Sequence, residues 1–304
     1  MADTKEDEDL SSSIATTGGS AWTNYVKVFL PAERAADFTK EESIFEATVI
    51  KVVGEEVWKA LPMEIRLNVI RGNAHEKERL KVTSESAKKI YEWRLKHNVD
   101  KEALTAGPLP GSEVYYACWP SRVAGLDVYG HPILYDRYST MDFQKLCTMD
   151  EGDVYHFRTQ ALESLMYLKA EVSAKLGLRV CKHVYVLDLA GLESSFFSST
   201  IQKKMRAVMK MSADMFPETL WTVWLVNAPT SFRLIWSVIR NWLDPMIRSK
   251  VRMWGSTKSK WHAAMAECGI PVSSLPQEFG GTSPSEGLQD ILVRAAKANA
   301  DKAN

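Results

Sequence analysis

The 304-residue sequence contains no run approaching 18 apolar residues, so no segment reads as membrane-spanning and any membrane contact is expected to be peripheral. It has no glycine at position 2, no C-terminal CaaX box, and an acidic start, MADTKEDED, where a signal peptide would be basic and then apolar. Cys118, Cys147, Cys181 and Cys268 show neither CxxC nor metal-ligand spacing, which makes free thiols in a cytoplasmic protein the simplest account. Net charge is missing as well. Lys plus Arg and Asp plus Glu number 38 each, so the basic footprint of a nucleic-acid binder is lacking and no nucleic-acid partner is expected. Neither a GxSxG elbow, a GxxxxGK(S/T) loop, a GxGxxG turn nor a pair of histidines at helical spacing occurs. His75-Glu76 begins like a zinc-protease helix, but Arg79 stands where the second ligand belongs. Catalytic residues and a metal are therefore left unassigned, and an enzyme is the less favoured class.

An apolar content of 45% is enough for a sizeable core. Residues 1–20, acidic and then rich in Ser, Thr and Gly, have the composition of a disordered tail. Residues 21–105 read as a helical lobe, with periodic stretches at Glu42 to Leu61 and Glu76 to Asn98, and nothing chemical falls on residues 21–60. After a Pro- and Gly-rich linker, residues 112–283 alternate strands and helices. Strands are expected at Val114–Trp119, through Ile133–Tyr135, at Val184–Leu189 and at Leu220–Val226, with helices over Asp150–Leu176 and Ser198–Met215. That alternation indicates an α/β fold with a mixed or parallel sheet flanked by helices. Residues 284–304, Ala-rich and charged, read as a helical tail that frays.

The stretch from Phe216 to Gly255 organises the rest. A buried strand is stopped by Asn227-Ala228-Pro229, and Thr230 or Ser231 can then cap a helix running to Asp244-Pro245. Phe232, Ile235, Trp236, Ile239, Trp242 and Leu243 form one stripe, and Leu234 and Val238 widen the apolar arc to roughly 200°, about twice what one packing partner uses. Two readings stay open: a central helix covered on two sides, or a movable gate whose inner face meets a ligand and whose edge meets a membrane. Six tryptophans between Trp221 and Trp261 suit either a packed core or a lipid-lined cavity.

PETLWTVWLVNAP, the apolar helix and LDPMIRSK together resemble the signature of the CRAL-TRIO lipid-binding family, the family of phosphatidylinositol and phosphatidylcholine transfer proteins. YGHPILYDRYSTMD, HVYVLDLAGL and LPQEFGG follow the same pattern, and the similarity spans about residues 60–283. The resemblance implies a mixed sheet as the floor of an apolar cavity, closed by the gate helix and braced by the helical lobe. It implies a cytoplasmic, monomeric, non-enzymatic carrier of a phospholipid, foremost phosphatidylinositol, that touches membrane surfaces transiently. Arg233, Arg240, Arg248 and Arg252 are candidates to meet anionic headgroups there.

By the same resemblance Glu218 and Lys250 lie at the inositol-phosphate headgroup, where a phosphodiester needs a cation and inositol hydroxyls an acceptor. The sequence also departs from the family pattern. Its basic Arg-x-Arg-Lys run survives only as Arg71-Gly72-Asn73-Ala74, and a threonine common near the closing Ser-Lys is Ile247. On the strand at 182–189, the two-residue period puts His183, Tyr185 and Leu187 on one face. In phosphatidylcholine-binding relatives the first two are small hydroxyl residues. Here they either pack as ordinary core residues or offer an imidazole and a phenolate about 7 Å apart. A branch of the family binds haem through a tyrosine with a nearby histidine, so haem on Tyr185 and His183 is the alternative to a bound phospholipid without cofactor. A lipid-regulated signalling adaptor is the third reading. Asp188 and Glu193, flanking a glycine turn, are expected to satisfy loop amides.

Overall fold

Alternating apolar residues make the centre of the chain a sheet, seen in a computed structural model that describes residues 20–192 and 198–303. The tail expected over 1–20, apart from Ser20, lies outside the described residues, as do Glu193 and the side chains of Arg233, Leu234 and Ile235. The strands are β1 (Arg122–Leu126), β2 (Pro132–Arg137), β3 (His183–Asp188), β4 (Leu220–Val226), β5 (Val251–Met253) and β6 (Glu286–Gly287), in the order β5-β4-β3-β2-β1-β6. β2 to β5 run parallel to one another, while β1 is antiparallel to both β2 and β6. The sheet is mixed, as the alternation indicates.

The helices preceding the sheet are α1 (Ser20–Arg34), α2 (Lys40–Val53), α3 (Glu55–Ala60), α4 (Met63–Gly72), α5 (Arg79–Lys96), α6 (Val99–Glu102) and α7 (Ser112–Cys118). The others are α8 (Phe143–Thr148), α9 (Glu151–Leu176), α10 (Ser199–Met215), α11 (Phe232–Ile239), α12 (Pro245–Ser249), α13 (Lys258–Glu267) and α14 (Leu288–Ala303). Local chemistry fixes several ends. Thr39 and Glu42 form a reciprocal capping box on α2, and Asp150 accepts from Gly152 N and Asp153 N at the start of α9. The α9 helix ends at Gly177 with φ +66°, a left-handed position that glycine adopts without a Cβ penalty.

The pleat divides the sheet into two cores. Leu134, Val223 and Leu225 face one side together with α9, α10 and α14, whereas Ile133, Val184, Val186, Trp221 and Trp224 face the other with α1 and α13. A third core joins α2 to α5 through Trp58, Val69, Ile70 and Ile90 to Leu162, Met211 and Phe216 of the α/β part. Helix α1 does not share that lobe core. It packs behind the sheet, where Trp22 meets Trp221 edge-on at 5.7 Å between ring centroids and Tyr25 Oη donates to the Trp221 carbonyl.

The region 21–60, on which sequence reading places no chemistry, supplies a buried ionic group. Glu33 of α1 and Asp127 grip His131 from both sides, at 3.0 Å to Nε2 and 2.8 Å to Nδ1, with all three side chains fully buried. Burial alone would lower the His131 pKa, but the two carboxylates hold it above its ordinary value. Burial alone would raise Glu33, yet its hydrogen bond and charge contact with His131 bring it down to about 2.

Three expectations are corrected. Val114–Trp119 is not a strand: after Gly111 the chain forms α7, burying Tyr115, Tyr116 and Cys118, because a short apolar run buried on more than one side carries no usable period. The gate helix is shorter than Thr230–Leu243. It spans Phe232–Ile239 and continues only as turns, and Ser231 makes no side-chain cap. The end of the chain does not fray, since Leu288, Ile291, Leu292 and Ala295 are buried and Arg294 bonds to Glu171 on α9 and Glu286 on β6.

Candidate functional site

A cavity of about 770 Å³ opens on the face of the sheet that carries Leu134, Tyr185, Leu187, Val223 and Leu225. Met205 and Val208 of α10 form one wall, and Phe232, Trp236, Ile239, Trp242 and Leu243 form the cover. His183 lines it too, so the three residues that the strand period puts on one face do share it. Tyr185 and Leu187 are only half-buried within a central strand, and the surface they keep is what they present to the cavity.

Beyond Phe232, which is 3% exposed, no described side chain from Trp236 to Ser249 is buried. A central helix covered on two sides would bury most of its stripe, so α11 is instead an apolar element resting on a hollow. Trp221, Trp224 and Trp261 are fully buried in the opposite core, whereas Trp236 and Trp242 line the cavity. Of the arginines read as membrane-facing, Arg240 and Arg248 are exposed, while Arg252 is half-buried over the Trp22 ring.

One end of the cavity is ionic. Glu218, at φ +55°, points its carboxylate between Lys182 at 3.1 Å and Lys250 at 3.6 Å. Lys250 has only 2% of its side chain exposed, against 23% for Glu218. Burial lowers the Lys250 pKa despite the carboxylate beside it. Burial would raise Glu218, but Lys250 and Lys182 hold it below its ordinary value. Arg71 takes no part: it is tied to Glu42 and to the carbonyls of Ala32, Ala35 and Asp37. Its neighbour Gly72 does, because a β-carbon there would lie 2.9 Å from Glu218 Cγ. Ile247 lines the cavity as an apolar residue.

Farther in lies a second polar group. Asp136 Oδ2 accepts from Tyr185 Oη at 2.7 Å and from Trp119 Nε1 at 2.9 Å. Burial and the adjacent Asp136 keep Tyr185 protonated far above its ordinary range. Burial, reinforced by the charges of Lys169 and Arg158, keeps His183 neutral, and its Nδ1 has no hydrogen-bond partner. Asp188 lies outside this group and satisfies a loop, accepting from Ala190 N and Asn227 Nδ2.

Sequence reading passed over Lys182 and Arg158. Alternation puts Lys182 on the face opposite His183, over the rings of Phe29 and Trp221, and from there its ammonium still reaches Glu218. Arg158 did leave a signal. It sits four residues after Val154 and three before Ala161, a charge on the buried stripe of α9, where Glu163 and Lys169 are buried as well.

Known proteins carry the same pattern. The model of the CRAL/TRIO domain matches residues 118–281, more than half the chain and all of the cavity floor. The chain is 26% identical over 223 residues to the phosphatidylinositol/phosphatidylcholine transfer protein SFH7 of Arabidopsis thaliana, covering 72% of this chain and 39% of that protein. It is 24% identical over 205 residues to a cytosolic factor of Schizosaccharomyces pombe, covering 66% of this chain and 68% of that one. It spans from 30% to 43% of the length of the Arabidopsis relatives it matches. The crystal structure of Sfh5 aligns over 83% of this chain and 81% of its own at 14% identity, with a TM-score of 0.49. With the sheet, the roofed cavity and the matched segment coinciding, this chain belongs to the CRAL/TRIO domain family.

Proposed function

We propose that this protein binds one phospholipid, foremost phosphatidylinositol, in its cavity and transfers it between membranes as a monomer, without catalysis. The observation that carries the reading is the cavity of about 770 Å³, apolar along its floor and cover and ionic at Glu218 and Lys250. Each Å² of acyl surface taken from water is worth about 25 cal/mol, so burial of the two chains suffices to hold the lipid between membranes. The ionic end then selects the headgroup. Lys250 faces the phosphodiester, while Glu218, held from behind by Lys182, accepts from inositol hydroxyls, each a charge-assisted bond in a partly dry site.

Release requires the cover to move. The segment from Trp236 to Ser249 has no buried side chain to anchor it, which supports α11 as the gate. Among the described residues no helix is long and apolar enough to cross a membrane, so exchange is a surface event in which Arg240 and Arg248 meet anionic headgroups. Extraction of the purified protein with organic solvent, followed by mass spectrometry, tests the assignment: phosphatidylinositol is the expected guest, and an extract without phospholipid refutes it.

One observation favours a second reading, haem on Tyr185 with His183 beside it: the buried, unpartnered Nδ1 of His183. Ligation through the phenolate requires the proton now shared with Asp136 to leave. An absorption spectrum decides between the readings. A Soret band abolished by Tyr185→Phe supports haem, and a featureless visible region supports the lipid.

A further inference from the structure

Arg158 lines the cavity from α9 and is 8% exposed. Among the described residues, four other Lys or Arg residues are as deeply buried as whole residues, and each has a partner. Arg94 binds Asp100 and Glu163, Lys169 donates to the Cys181 carbonyl, and Lys182 and Lys250 flank Glu218. Arg158, like Lys169, makes no ion pair with a described residue, but its Nε also has no hydrogen-bond partner. Its guanidinium carbon lies 4.5 Å from the centroid of the Trp119 ring, a contact that orients a cation without neutralising it. Asp136 Oδ2 is taken by Trp119 and Tyr185 and its Oδ1 has no hydrogen-bond partner, so Asp136, with Tyr115, favours the Arg158 charge from outside ion-pair distance. A lysine so placed could shed its proton; a guanidinium cannot, so its unpartnered Nε beside an open chamber suits an anion.

We propose that Arg158 is the anion anchor of the cavity. It receives the phosphate or carboxylate of an amphiphile that occupies the cavity in place of phosphatidylinositol, with His183, whose Nδ1 is also unpartnered, as the second polar contact. The anchor is distinct from the Glu218 cluster, where a carboxylate already pairs with both lysines, and it rests on the reading of the cavity as an amphiphile site.

The test uses the full chain and three pyrene-labelled probes followed by tryptophan-to-pyrene energy transfer: phosphatidylcholine, a fatty acid and diacylglycerol. The first two offer a phosphate and a carboxylate, and the third has acyl chains and no charge. Wild type is expected to bind at least one acid probe about tenfold or more tighter than diacylglycerol, as a charge-assisted bond to guanidinium implies. Arg158→Met is expected to remove that preference while leaving diacylglycerol binding unchanged, and Arg158→Lys to retain part of it. Whichever acid probe loses affinity names the group. A merely structural role would weaken all three probes together. Should Arg158→Met fail to fold, the wild-type preference and Arg158→Lys still decide. Equal binding of all three probes by wild type, or an unchanged preference in Arg158→Met, overturns the anchor. Failure of every probe, diacylglycerol included, overturns the amphiphile site itself.

Discussion

Gly72, the last residue of α4, lies so close to Glu218 that a β-carbon on it would come within 2.9 Å of Glu218 Cγ. The helical lobe thus sets the position of the carboxylate that Lys182 and Lys250 share. Gly72→Ala is expected to push Glu218 off the two ammonium groups and to slow phosphatidylinositol transfer between vesicles several-fold. The thermal midpoint should move little, because the obstacle is a flexible side chain rather than backbone. Phosphatidylinositol transfer at the wild-type rate would disconnect the lobe from the site.

Glu218→Gln leaves Lys182 and Lys250 buried without an anion, which costs about 3 kcal/mol or more when one partner of a buried pair is removed. Lys250→Met leaves Glu218 still paired with Lys182 and is expected to cost much less, while lowering phosphatidylinositol transfer about tenfold. Urea unfolding and a transfer assay on the two variants check the contrast. Equal loss of stability in both would show that the pairing is not shared as described.

The buried Glu33–His131–Asp127 group makes stability depend on pH in both directions. Glu33 is held at about 2 in the fold against 4.5 in its ordinary state, so its contribution is complete above about 4.5 and disappears as pH falls towards 2. It amounts to about 3 kcal/mol. His131 is raised instead. Its share is complete below 6.5 and is lost as pH climbs through the higher folded value. Glu33→Gln should flatten the acid limb of a plot of unfolding free energy against pH and shrink the alkaline one. A plot identical to wild type would mean that α1 does not hold the sheet through this group.

Tryptophan quenching by brominated phospholipid vesicles separates the gate from the core. Trp236 and Trp242 line the cavity with no covering layer, whereas Trp221, Trp224 and Trp261 are fully buried behind the sheet. The double variant Trp236→Phe, Trp242→Phe is expected to lose most of the quenching. Its retention would place the lipid contact elsewhere.

Legibility in the sequence followed periodicity. β4, bounded by a Pro-Glu step and Asn227-Ala228-Pro229, appears at Leu220–Val226 as read, and the two-residue period on β3 brought His183, Tyr185 and Leu187 to one face. Where burial comes from several sides the period vanishes, so Tyr115 and Tyr116 read as strand and form helix. Leu288, Ile291 and Leu292 are spaced as an amphipathic stripe, but their alanine-rich, charged surroundings masked it, and α14 closes one core against α9. Lys182 and Arg158 were missed for different reasons: the first reaches Glu218 from the face of β3 turned away from the cavity, and the second is a buried charge on an apolar helix face.

Native mass spectrometry of the full chain, purified without detergent and then incubated with phosphatidylinositol-containing liposomes, tests the occupied cavity most directly. One phospholipid mass added per polypeptide, and exchanged for the liposome lipid, is the expected result. A bare polypeptide mass before and after incubation would contradict the account.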